Sequence, residues 1–434
     1  MKSAILKLFM LMAPCLALLC SNSFANVDEL RVIPDDQAPG RYFPAFGAPL
    51  KVEDMSAGRM TFVDRLPWAM PHMAYKTGML ATRSLDREYL GRSGLSEKYA
   101  YFKKRNLRSI LNIQDPETRQ AQINLLSPAE KYDLLIGDLS QNFSNAVWAE
   151  VRQQMAQGHV PTWLGICDGS SAASVIFREP IRSVTMPSRI EGVEVKFFVG
   201  DIKALLSFSM TTYVSQDLPI FGRRCRTSGD CVGINPASLH QILLRMAQMN
   251  ERREAIPYMI VDRLPNTAIW NSALLSSSIA YYDPDSSHSV SENPVAHLFD
   301  VDDYSPPPGS PGWAPGTRYL LYATSILRLS DTRTPIGFND LGTMKVMDLS
   351  VRYVLEFNRK HELIGGEWLT PKHPGFVWAL PQDYRPRSSG DRETESFSWQ
   401  GAAVPDAAMS KVLRSSKKMQ PLFRIIDAIY QDSL

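Results

Sequence analysis

The chain reads as an α+β protein in which a cysteine at a helix N-terminus packs on an antiparallel sheet. Three observations predict this. Helix-capping signals gather in the first half, strand-like apolar runs gather in the second, and Cys167 stands between them in a run rich in Gly, Ser and Ala.

Before any fold comes a leader. Lys2 and Lys7 precede an apolar stretch over residues 8–19, and Ser23-Phe24-Ala25 supplies the small-residue pattern of a signal peptide cut after Ala25. The stretch is too short for a comfortable transmembrane helix, so the mature chain is expected to be a soluble secreted or periplasmic protein. Cys20 would suit lipid attachment, but Leu18 and Leu19 before it are a poor match for that processing.

Removal of the leader leaves about 409 of the 434 residues, enough for a large core in two units or one elaborated domain. It also removes two lysines, leaving 45 basic against 45 acidic residues. A balanced charge gives no electrostatic reason for nucleic acid or an anionic membrane as partner. The 30 prolines and 44% apolar residues suit a loop-rich globular protein.

Residues 26 to about 60 lack a sustained period and read as an N-terminal arm, and residues 84–108 mix charges and aromatics without a clean face. The first firm element covers residues 127–136. Ser127 is the N-cap, Pro128 suits the first helical position, Glu130 completes a capping box, and Gly137 stops the helix. A second helix spans 145–157, ended by Gly158.

The cysteine segment follows. Residues 160–163 approach as extended chain, Gly165 permits a tight bend, and the small residues of 168–177 permit a closely packed helix with Cys167 at its start. Unpaired amides and the helix dipole there would favour the thiolate, the nucleophilic form. This placement is shared by papain-like proteases and transglutaminases.

Next come a strand over 192–198, a short helix over 201–206, and a helix opened by Asn235 and Pro236. Strands then cluster at 258–262, 319–323, 350–356, 363–368 and 375–378. The Pro- and Gly-rich run 305–316 cannot form a helix or an inner strand, so it reads as a surface excursion over the strand region. Leu422, Phe423, Ile425, Ile426, Ile429 and Tyr430 recur at helical spacing after a polar stretch. They predict an amphipathic C-terminal helix that docks on the body. The organisation expected is a leader (1–25), an arm and helical region (26–120), a catalytic domain (121–382), and a linker with the C-terminal helix (383–434).

Of the three cysteines past the leader, Cys225 and Cys231 are close in sequence with Ser228-Gly229 turn chemistry between them, and they are the expected disulfide. Cys167 is left over. It is either a buried inert thiol or a nucleophile.

A catalytic thiol needs a histidine to take its proton and a third group to hold that imidazole. His373 follows the strand ending at Trp368 and opens His373-Pro-Gly-Phe-Val-Trp378, which places it on the rim of the sheet. His240, set among leucines in its helix, is the alternative base and otherwise a core histidine. The other histidines read as surface residues. Trp163, Trp368 and Trp378 would shield the site and shape an acyl-binding groove, or else pack the core.

Several blocks occur in order across residues 120–382: Ser127-Pro-Ala-Glu130, Trp163-x-Gly165-x-Cys167-x-Gly169, Asp201-Ile-Lys-Ala-Leu-Leu206 and Gly222-Arg-Arg-Cys225. Asn235-Pro-x-x-Leu-His240, Ile269-Trp-Asn271, Gly365-Gly-Glu-Trp368 and His373-Pro374 follow. In these blocks the chain resembles the transglutaminase elicitor family, which includes secreted calcium-dependent transglutaminases of oomycete plant pathogens and bacterial relatives. The resemblance implies a papain-like, transglutaminase-like core and a Cys-His-Asp triad that transfers a glutamine acyl group to a lysine or other amine. The partners implied are a protein with an exposed glutamine and an amine acceptor.

The chain also departs from that pattern. Ser170 stands where the family has a Trp, Gly375 where it often has an Asp, and Thr370-Pro371-Lys372 lacks the carboxylate expected just before the histidine. Glu367 and Asp262 are the candidates to orient His373 in its place. Calcium is the one cofactor suggested. Asp300, Asp302 and Asp303 offer oxygen ligands beside the Pro-rich run, but without the loop glycine and distal Glu of an EF-hand, and a solvated acidic loop is the simpler reading. Two other classes stay open: a papain-like peptidase or amidase that passes the acyl group to water, and a non-catalytic binding protein with a degraded triad.

Overall fold

A computed structural model describes residues 50–70, 73–156, 158, 160–213, 218–225, 233–285, 290–291, 293–308, 312–332, 337–399 and 401–434. The leader, most of the N-terminal arm and Cys231 lie outside these residues. So do His72, His159 and His288.

Helices dominate the first half. The segment without a clean apolar face forms α1 (Arg87–Leu90), α2 (Leu95–Lys104), α3 (Leu107–Leu111) and α4 (Pro116–Asn124). Three of these start on side-chain caps, in which Asp86 accepts from Tyr89 N, Asn106 from Ser109 N and Asp115 from Thr118 N. These caps satisfy amides that short helices leave open. In α5 (Pro128–Leu135) both halves of the Ser127–Glu130 capping box form. Helix α6 (Asn142–Ala156) follows it.

Then come α7 (Cys167–Ile176) and α8 (Val199–Tyr213), with the hairpin of β2 (Val184–Pro187) and β3 (Glu194–Phe197) between them. The helix expected over 201–206 is therefore longer at both ends. Helices α7 and α8 approach closely because Gly169 has no side chain. A Cβ there would lie 2.0 Å from Ser207 O.

The second half supplies the sheet. Its strands are β1 (Gly58–Thr61), β4 (Ile220–Gly222), β5 (Tyr258–Asp262), β6 (Asn271–Tyr282), β7 (Val290–Ser291) and β8 (Phe299–Asp300). The rest are β9 (Tyr319–Ser330), β10 (Val346–Phe357), β11 (Leu363–Trp368) and β12 (Phe376–Leu380). Among the described residues these make one curled sheet in the order β11-β10-β9-β6-β5-β12-β4, antiparallel at every pair.

Alternation along the strands assigns each face to one layer. On one face Ile260, Ala273, Leu275, Trp378 and Leu380 join the core of the helical half. On the other, Val261, Leu274, Val377, Ala379 and Tyr353 pack with α9 (Pro236–Glu251), whose N-terminus is capped by Asn235. At the β9–β10 end, the helical face is replaced by the Pro-rich excursion: Ala314 N and Thr317 Oγ1 both donate to the buried Glu356 Oε2, at 2.6 and 2.7 Å.

After β12 the chain forms α10 (Ser389–Glu393), α11 (Met409–Lys417) and α12 (Phe423–Gln431). The apolar stripe of α12 is buried against the helical half, Asp391 caps its first amides, and Tyr430 OH accepts from Arg178 N at 2.8 Å. Arg178 follows the C-terminal end of α7, so α12 docks at the end away from Cys167. No described helix is long and apolar enough to cross a membrane.

Candidate functional site

Cys167 is the first residue of α7, buried, and a free cysteine. The helix meets the β5–β6 hairpin. In that hairpin Asp262 and Asn271 are direct partners, and their strands place both, with Trp378 of β12, on the face that α7 covers. Around the thiol, Asn271 Nδ2 donates to Cys167 Sγ at 3.8 Å and the thiol donates to Ile269 O, also at 3.8 Å.

Asn271 is itself fixed from several sides. Its Oδ1 accepts from Trp378 Nε1 at 3.1 Å, and its backbone carbonyl accepts from Ser171 Oγ at 3.0 Å and Thr332 Oγ1 at 3.2 Å. Within the Ile269-Trp-Asn271 block nothing in the sequence marks Asn271 for a role at the thiol. An amide side chain at a strand start has no distinctive spacing, so only the register opposite Asp262 reveals it.

The surroundings of the thiol favour its neutral form. Burial, and then the Asp168 carboxylate, push it up to about 12, against the bonds from Asn271 that favour the anion. The thiolate expected from the helix N-terminus is thus overridden by desolvation and by an acid on the next residue. Asp168 in turn accepts from Thr211 Oγ1 at 3.1 Å.

Asp262 pairs with Asn271 and borders the turn that follows His373. Its Oδ1 accepts from Trp270 N at 2.9 Å, and its backbone carbonyl accepts from Gly375 N at 2.9 Å. Its Oδ2 stands 2.7 Å from where a Cβ on Gly375 would be, two residues past His373. Burial raises this carboxyl to about 7, opposed by the Trp270 amide and by the charges of Arg263 and Arg224. Its charge is also felt at Cys167.

His373 sits on the turn that leads into β12. Its ring stacks on Trp368, 4.6 Å between centroids and 6° from parallel, while Trp368 Nε1 donates to Ile234 O at 2.8 Å. The opposite wall is Gly233. With φ +72° this residue favours glycine, and a Cβ would lie 2.9 Å from His373 Cε1. The ring contacts Pro374 O through Nδ1 at 3.1 Å. A carbonyl only accepts, so Nδ1 carries the proton and Nε2 keeps its lone pair. Burial lowers the imidazole to about 4, partly offset by that carbonyl. Among the described residues no hydrogen bond or ion pair joins His373 to Cys167 or to Asp262.

The remaining candidates fall elsewhere. His240 is fully buried in α9, with Nδ1 on Tyr353 OH at 2.8 Å and Nε2 on Tyr281 OH at 3.2 Å. Burial lowers it to about 3, so it is a neutral core histidine whose two nitrogens are both engaged. Glu367 pairs with Val354 in β11 and points to the face opposite Trp368, away from the ring on which His373 stacks. Trp163 is half-buried in the turn before α7. Cys225 is buried after β4, and its expected partner Cys231 lies outside the described residues.

The calcium candidates do not fit a metal. Arg318 pairs with both Asp300 and Asp302, and Asp300 Oδ1 also caps Asp302 N at 3.1 Å. Among the described residues no group of three or more His, Cys, Asp or Glu side chains is arranged to hold a metal ion.

The sequence pattern of the family described as transglutaminase elicitor matches residues 44–393. The chain belongs to the transglutaminase elicitor family. That match contains Cys167, Asp262, Asn271 and His373. Among solved structures, the GP42 transglutaminase from Phytophthora sojae is similar, with a TM-score of 0.50 over 88% of this chain and 98% of that one. At 17% identity this shows a shared fold. No curated protein matches.

Proposed function

We propose that the chain is an exported protein-glutamine γ-glutamyltransferase that carries the acyl group on Cys167. The observation behind this reading is a free cysteine at the start of α7, facing Asp262 and Asn271 across a hairpin in a member of this family. The papain-like arrangement, a nucleophile on a helix against sheet-borne partners, is part of the same proposal.

In this mechanism the Cys167 thiol gives its proton to His373 Nε2 as a glutamine side chain enters. Sulfur attacks the carboxamide carbon, and the imidazolium returns the proton as the carbon–nitrogen bond breaks and ammonia leaves. A primary amine then attacks the thioester, its proton passes to His373, and an isopeptide and free thiol result. Asp262 serves as counter-ion to the imidazolium. Once that cation forms, the carboxyl is drawn down from about 7 and holds it. Trp368, stacked on His373, fixes the plane of the ring. The leader read at residues 1–25 would deliver the protein to the periplasm or beyond the cell.

One observation favours a second reading. A buried neutral thiol with no imidazole bonded to it suits a binding protein that keeps the family fold without turnover. Incubation with a glutamine donor and a labelled primary amine, beside Cys167→Ala, separates the readings. Amine incorporation that requires Cys167 supports the transferase. Release of ammonia or peptide cleavage without incorporation supports a hydrolase, and no Cys167-dependent turnover supports the binding protein.

A further inference from the structure

We infer that Asn271 is the side-chain donor of the oxyanion hole, and that Trp378 is the positioning residue that aims it. This rests on the transferase reading above. The orientation follows from hydrogen-bond logic. An indole N–H can only donate, so the Asn271 atom facing Trp378 Nε1 is the oxygen, and the amide nitrogen is the atom turned to Cys167 Sγ at 3.8 Å. That leaves an N–H beside the sulfur in a buried setting, since Asn271 is only 4% exposed.

The distance suits the role. With the amide nitrogen 3.8 Å from Sγ, an oxygen on a carbon bonded to that sulfur can be placed within the ~2.7–3.1 Å that an oxyanion donor requires. The second donor is the Cys167 backbone N–H. It opens α7, where Ile166 provides no side-chain cap, and no described group accepts from it. Two donors are thus available at the sulfur-bearing residue. The rigidity is built in as well: Ser171 and Thr332 hold the Asn271 carbonyl, so the residue is fixed before any substrate arrives. Preorganisation of this kind is what gives such donors their effect on the transition state.

The test compares kcat, KM and iodoacetamide labelling of Cys167 in Asn271→Ala and in Asn271→Leu, which keeps similar bulk without the donor. The substrates are a blocked glutaminyl-glycine dipeptide and a fluorescent primary amine, and melting temperatures verify folding. Expected is a kcat lower by about 10²–10³-fold with KM little changed and labelling slowed far less than kcat, because loss of the Asn271 bond to sulfur disfavours the thiolate only slightly while alkylation develops no oxyanion. Trp378→Phe should lower kcat by less, with labelling unchanged, since the donor stays but its aim is loosened. Unchanged kcat in both Asn271 variants would overturn the assignment and leave the transferase reading intact. So would labelling that falls in step with kcat, which would make Asn271 a holder of the thiol. Wild-type protein with no Cys167-dependent turnover would overturn both.

Discussion

Buried polar groups in the helical half and buried polar groups around Cys167 are treated in opposite ways. In the helical half the buried cations Lys131 and Arg83 each meet a carboxylate. Lys131 Nζ donates to Asp201 Oδ2 at 2.6 Å with both side chains buried, and Asp201 Oδ2 also accepts from Phe198 N at 2.7 Å. Arg83 grips Glu130 with two bonds, at 2.9 and 2.6 Å, on the carboxylate that already closes the α5 capping box. Around Cys167 the thiol, the Asp262 carboxyl and the His373 ring are each buried, and none is ion-paired to another among the described residues. Burial therefore moves all three toward their neutral forms. The first arrangement stores specificity in the fold. The second holds groups whose charges can change, as a proton-transfer site requires.

Breaking a pair in the helical half should give the largest change in stability. Lys131→Met leaves Asp201 buried without its cation, and chemical denaturation should show a loss of about 3–5 kcal/mol. The matching change at the site behaves otherwise. Asp262→Asn removes a carboxyl with no ion pair among the described residues, so it should lower amine incorporation far more than it lowers the denaturation midpoint.

The same variant sharpens the comparison through pH. The folded carboxyl titrates near 7 against 3.8 when free, so its contribution is complete below 3.8 and is lost as pH rises through about 7. His240 and His373 run the other way. Their folded values of about 3 and about 4 lie below 6.5, so their contributions are complete above 6.5 and are lost as pH falls through those values. Melting curves of Asp262→Asn should therefore lose less stability than wild type between about pH 4 and about pH 8, with the acid-side decline kept. Equal slopes in the two proteins would show that Asp262 ionises normally.

The smallest effect belongs to the docked C-terminal helix. Tyr430→Phe deletes the hydroxyl that accepts from Arg178 N, at a cost of about 1 kcal/mol in denaturation. Turnover at Cys167, at the far end of α7, should stay at the wild-type rate.

Local chemistry made much of this legible. The Ser127–Glu130 capping box, the Asn235 cap, the start of α7 at Cys167 and the strands over 258–262 and 363–368 all follow from residues next to one another. What escaped depends on distant partners. Strand β6 carries Ser276, Ser277 and Ser278, too polar to read as a strand, yet it lies inside the sheet between β5 and β9. Helices α1 and α3 start on side-chain caps and α2 does not, and none of the three shows a clean apolar stripe in the sequence. At the candidate site, Cys167, His373 and Asp262 are named from residue type and order, and their roles belong to the proposal. The positions of Asn271 beside the thiol and of Gly233 beside the ring are not legible in the sequence, because one comes from strand register and the other from a ring packed against backbone.

The central claim is that Cys167 carries the acyl group, and intact-protein and peptide mass spectrometry can observe it directly. Wild-type protein mixed with the blocked glutaminyl dipeptide and no amine should gain the donor's mass less ammonia on the Cys167 peptide, and a primary amine should then discharge it. Amine incorporation that persists in Cys167→Ala, with no adduct on the Cys167 peptide of the wild type, would contradict the account.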